Sequence, residues 1–176
     1  MGRLLLRATL GAVFVVHGTQ KLFGWFGGYG PDGTGQFFES LGLRPGRRNA
    51  LLAGATETGS GVLLAAGAAT PAAAAGVTGM MISALATTVW KDGIRPATGE
   101  FEVLLAAAAL ALADEGPGPW SVDAALGQER TGAPWALGAL AAGAVGTGLV
   151  LASARAAQPT APAPATESAP ATASDA

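Results

Sequence analysis

The feature that most limits what this chain can fold into is a series of apolar segments, each near bilayer-crossing length, separated by turns rich in glycine and proline. A hydrocarbon core about 30 Å thick needs about 20 mainly apolar residues in a helix. Such segments run over Leu4–Phe26, Arg48–Ala69, Ala72–Trp90, Ala97–Glu115 and Pro134–Ala152. Only 12% of the 176 residues are charged, against about 25% in soluble domains. Lipid taking the place of water as solvent explains that deficit, and the fold class that follows is an all-α membrane protein.

Several function classes drop out at once. The net charge of −2, and a basic run confined to Arg44–Arg48, argue against nucleic acid as a partner. With 0 cysteines there is no thiol catalysis, disulfide, iron–sulfur cluster or thiolate metal site. With 1 histidine, a metal site would rest largely on carboxylates, and none is assigned. No Rossmann glycine fingerprint, Walker loop, nucleophile elbow or HExxH zinc motif is present.

Along the chain, Met1-Gly2-Arg3 before an apolar run is reminiscent of a signal peptide. No small-x-small cleavage site closes the run, however, and it contains His17, Gln20 and Lys21, so it reads as a retained span. A glycine-rich loop broken by Pro31 follows, and Gly35–Leu43 reads as a short amphipathic turn lying in the interface. The second span ends at Pro71, and the short Ala69–Pro71 connection makes the second and third spans an antiparallel hairpin. Trp90 and Lys91 form an interfacial end, and Trp25, Trp120 and Trp135 read as further belt anchors.

The fourth span is instructive. Its apolar run, Phe101–Ala113, uncharged apart from Glu102, is too short to cross, so the span must extend over Ala97–Glu115 and hold Glu100 and Glu102 in its first turns. The fifth span is rich in glycine and alanine, and the tail from Ala156 cannot bury a core and reads as disordered. The organisation is a four-helix membrane domain over residues 1–128, a fifth helix over 129–155, and an Ala/Pro/Thr-rich tail over 156–176. Small residues four apart, at Gly54 and Thr58, Ala55 and Gly59, Ala72 and Gly76, and Gly138, Ala142 and Gly146, read as packing seams. Orientation stays open: an inside N-terminus places Arg3 and Arg7 in the cytoplasm but Arg44, Arg47 and Arg48 outside.

Polar side chains inside hydrocarbon are the default functional candidates, because a central charge costs about 2.5–3.5 kcal/mol to insert. His17, Gln20 and Lys21 share one face of the first span, at i, i+3 and i+4, and Glu57 lies near the centre of the second. A His17–Glu57 pair at matching depth could share a proton or hold a polar headgroup such as a quinone carbonyl. The bland alternatives stand beside this: Lys21 snorkelling to the interface, His17 and Glu57 as a structural interhelical bond, and Glu100 and Glu102 as solvated helix-end charges.

HGTQKLFGWFGGYGPDGTGQFFESLG resembles the signature of the DoxX family, ETGSGVLLAAG its second-span motif with Glu57 at the glutamate, and GEFEVLLAAAALALADEGPGPWSVD its fourth span and ending. The likeness covers Leu4 to Gln128 and implies a four-helix membrane bundle in the plasma membrane. It further implies the membrane subunit of a quinone-linked or thiol and oxidative-stress redox system, with His17, Gln20, Lys21, Glu57 and one of Glu100 or Glu102 at the site. The cofactor expected on that reading is a membrane quinone. The partners expected are the bilayer, soluble redox enzymes and a second copy in a homo-oligomer. Two readings from other classes remain: a non-catalytic anchor for soluble redox enzymes, and a small proton-coupled transporter.

Overall fold

The structure, a computed structural model, describes residues 1–90 and 99–158, and all regular structure among them is helical. The helices are α1 (Gly2–Phe23), α2 (Gly30–Ser40), α3 (Gly46–Ala66), α4 (Thr70–Val89), α5 (Glu100–Glu115), α6 (Val122–Ala125) and α7 (Ala133–Ala156). The last turn of α4, Leu85–Val89, widens into a π-helix, and Thr87 and Thr88 donate back to the carbonyls of Ser83 and Ala84 there. The expectations for Lys91, for the stretch 91–98 and for the tail beyond Gln158 lie outside the described residues.

The helix ends obey local chemistry, and in places it differs from the reading above. Proline lacks an N–H and is preset for helical φ, so it belongs in a first turn, where that N–H has no partner anyway. Accordingly Pro31 and Pro71 open α2 and α4. Pro31 therefore does not break a loop: the helix expected from Gly35 starts five residues earlier, at Gly30. Nor does Pro71 end the second span. α3 stops at Ala66 because Gly67 adopts the left-handed conformation at φ 66°, which closes the helix on the carbonyls of its last turn.

α1 lies along α3, α2 packs on α3, and α4 is central, meeting α3, α5 and α7. Phe14, Leu64, Val77 and Leu112 fill the core between them and are almost wholly buried. The α1–α3 seam is a close backbone approach: a Cβ on Gly18 would lie 2.7 Å from the Gly54 carbonyl oxygen, and one on Gly11 2.6 Å from that of Gly61. Gly54 and Thr58 thus form a seam as expected, and Gly76 meets Ser60 and Thr56. Ala55 and Gly59 do not: Ala55 is exposed and Gly59 faces open space. On α7 the register is one residue later than expected. Ala139, Gly143 and Thr147 are buried, with Gly143 against Gly79 and the Thr147 hydroxyl donating to the Gly79 carbonyl at 2.7 Å. Gly138 and Gly146 have no close neighbour at their Cβ positions.

Two of the described helices, Thr70–Val89 and Ala133–Ala156, are long and apolar enough to cross a membrane. α1 and α3 have the length, 22 and 21 residues, but their polar side chains dilute them. α5 has 16 residues, Glu100–Glu115, and the expected start at Ala97 lies outside the described residues.

Candidate functional site

Between α1, α3, α4, α5 and α7 lies a cavity of about 510 Å³, whose walls are mainly apolar and whose floor on α3 carries Asn49, Ala53 and Glu57. These three fall at successive intervals of four residues, so they stack on one helix face. Leu52, Phe101 and Phe37 line the cavity and are also exposed, so it opens on the outer surface of the helices. A volume of this size is in the range that holds a small ligand.

Glu57 is 4% exposed, and its Oε2 accepts a 2.6 Å hydrogen bond from Lys21 Nζ. The closest α1–α3 contacts set Gly11 against Gly61 and Ala65, and Gly18 against Thr58 and Gly54, which puts Glu57 level with the turn from Val15 to Thr19, around His17, rather than with Lys21. The lysine covers that offset because helical side chains lean toward the N-terminus. Lys21 reaches back one turn, where Nζ also donates to the His17 carbonyl oxygen at 3.4 Å. Hence Lys21 does not run out to the interface. The expected His17–Glu57 pair is replaced by Lys21–Glu57, and the His17 imidazole sits exposed at the cavity rim.

The other expected residues divide. Glu102 lines the cavity and Glu100 does not, so α5 contributes one of the two carboxylates in its first turn. Gln20 lies outside it: its Nε2 donates to the Phe26 carbonyl at 3.3 Å and its own carbonyl accepts from Gly24 N–H, bracing the turn after α1. Gln20 is therefore a builder of the α1–α2 connection.

Three further buried polar residues have roles that the sequence did not assign. Arg7 is 3% exposed and donates to the carbonyls of Ala66 and Trp120, tying the end of α3 to the loop before α6. Asp123 accepts from Ala69 N–H at 2.8 Å, Thr70 N–H at 3.0 Å and the Thr70 hydroxyl at 2.9 Å, which caps α4. It also holds Ala69 in a left-handed conformation, φ 44°, that a non-glycine residue seldom adopts. The third is Asn49, 4% exposed in the cavity wall, with neither Nδ2 nor Oδ1 bonded to protein. Its sequence signal was the spacing of eight from Glu57, masked by the neighbouring Arg47 and Arg48.

The geometry defines a helical protein with a polar-floored cavity between its helices, two of them long and apolar enough to cross a membrane. The DoxX family model matches residues 2–90, and the chain belongs to the DoxX family. The matched stretch contains His17, Gln20, Lys21, Asn49 and Glu57 and stops before Glu102 and Asp123. No curated protein and no solved structure matches the chain.

Proposed function

We propose that this protein is a multi-pass plasma-membrane protein whose cavity binds a lipid-soluble carrier of the quinone class for a redox system. On this reading α1, α3, α4 and α5 form a four-helix transmembrane bundle and α7 adds a fifth crossing. The exposed apolar residues support it: Leu5, Leu52, Val62, Leu104, Val145 and Leu149 all point outward. The strongly polar Arg7, Lys21 and Glu57 meanwhile turn inward on α1 and α3. Such inward polarity and outward apolarity suit lipid as solvent.

The observation that carries the quinone reading is a mainly apolar cavity, opening between exposed apolar side chains, with an ammonium group on its floor. A quinone ring and its isoprenoid chain suit the walls. Lys21 Nζ can donate to a carbonyl oxygen while staying paired with Glu57, and the rim imidazole of His17 can exchange protons with that end of the ligand. A bound quinone would supply the electron chemistry, and these side chains would orient it and move its protons. The redox role itself rests on the likeness of the motifs around His17 and Glu57 to those of the family.

The test is purification in native lipid particles, followed by mass spectrometry of bound small molecules. A quinone present with the wild type and lost with the His17→Ala/Glu57→Ala double variant supports the reading. Unchanged small molecules in the double variant would overturn it.

A further inference from the structure

We propose that Asn49 is a ligand-binding residue that selects a neutral hydroxyl group, phenolic or alcoholic, on the polar end of an apolar molecule in the cavity. The inference rests on the cavity being the binding site, as proposed above, but identifies the chemistry of the ligand's head independently of any redox role.

The argument starts from what the Asn49 amide lacks. It is 4% exposed, and both its Nδ2 donor and its Oδ1 acceptor have no protein partner. A buried amide without partners costs about 1–3 kcal/mol, so a group that satisfies both atoms gains that much by binding there. A carbonyl or ether oxygen can only accept, and so serves Nδ2 alone. An ammonium group can only donate. A hydroxyl does both: its O–H donates to Oδ1 and its oxygen accepts from Nδ2. A carboxylate or phosphodiester cannot donate to Oδ1, and Glu102 and Glu57 on the same cavity disfavour any further anion. Lys21 does not offset both carboxylates, being already bound to Glu57 at 2.6 Å. The head is therefore neutral.

Position fixes the rest of the molecule. Asn49 lies two turns before Glu57 on α3, about 12 Å along the axis, and Leu52, Ala53, Met80 and Leu105 line the space around it. The body held there is apolar, and it can reach the Lys21–Glu57 end of the cavity.

The chain has a single asparagine, which makes the test direct. Protein labelled with ¹⁵N-asparagine in lipid nanodiscs gives one side-chain amide signal, and it is titrated with 4-hexylphenol and with its methyl ether, 4-hexylanisole. The phenol should shift that signal and bind roughly tenfold tighter than the ether, the factor expected from the one hydrogen bond to Oδ1 that the ether cannot make. In Asn49→Leu, thermal stabilisation by the two compounds should become equal; Asn49→Ala serves if the leucine variant does not fold. Equal affinity of the two compounds for the wild type, or a preference that survives in the variants, would overturn the assignment of Asn49 while leaving the cavity as a binding site. Failure of both compounds to bind the wild type would overturn both this assignment and the cavity reading.

Discussion

Two buried polar constructions stand at different places in this molecule, and they are built to different rules. At one end Arg7 and Asp123 direct their hydrogen bonds to the backbone around helix termini: the guanidinium to the last carbonyl of α3 and to that of Trp120, and the carboxylate to the first N–H groups of α4. The Asp123 carboxylate takes three donors, and the loop holding it closes over the α3–α4 turn, where Asp123 N–H also donates to the Gly67 carbonyl at 2.9 Å. On the cavity side, Lys21 and Glu57 bond mainly to each other, and Asn49 bonds through its side chain to nothing in the protein. Polarity directed at the backbone holds a fold together. Polarity that faces a cavity and stays partly unsatisfied costs stability, and that pattern marks a place where something binds.

Substitution should separate the two. The largest loss is expected for Asp123→Ala, which uncaps α4, leaves Ala69 strained and strands two N–H groups, that of Thr70 buried and that of Ala69 partly so. About 3 kcal/mol of stability should disappear, measured by denaturation in mixed micelles. A loss below that of any cavity variant would erase the distinction. Next comes Lys21→Met, which leaves a buried carboxyl without its partner and should cost roughly 2 kcal/mol. Replacing both partners, in Lys21→Met/Glu57→Leu, should recover most of this, because two apolar side chains need no hydrogen bond. The double variant would then fold well while losing its ligand, whereas no variant of Asp123 should change what the cavity binds. The smallest effect is expected for Asn49→Leu. Removing an amide with no protein partner should leave stability within about 0.5 kcal/mol of wild type, or raise it. A large loss there would show that the amide is structural.

Much of this was legible in the residues, and the remainder was not for identifiable reasons. Apolar runs between glycine and proline turns locate the helices to within a few residues. The ends shift because a proline reads alike as a stop or a start: Pro71 begins α4, and Gly67 ends α3. Polar residues inside apolar segments do mark the cavity, through His17, Lys21, Glu57 and Glu102. Which of them pair is a matter of reach. Depth alone matches His17 with Glu57, but a lysine one turn further on is long enough to displace it. The α7 seam was displaced by one residue because glycine and alanine occupy nearly every position there, so spacing alone cannot select the face. Asp123 and Arg7 act through contacts distant in sequence, between residues 54 and 113 positions apart, which no local pattern displays.

The most direct measurement of the central claim, that the cavity floored by Glu57 and Asn49 receives a lipid-soluble molecule, is photolabelling of the wild type in lipid particles. An alkyl quinone carrying a diazirine would be the label, and peptide mapping the readout. The account predicts labelling concentrated on Asn49–Glu57 of α3 and on Met80 and Met81 of α4, suppressed by excess unlabelled quinone and absent in Lys21→Met/Glu57→Leu. Labelling spread over outward residues such as Val145 and Leu149, and unaffected by competitor, would contradict it.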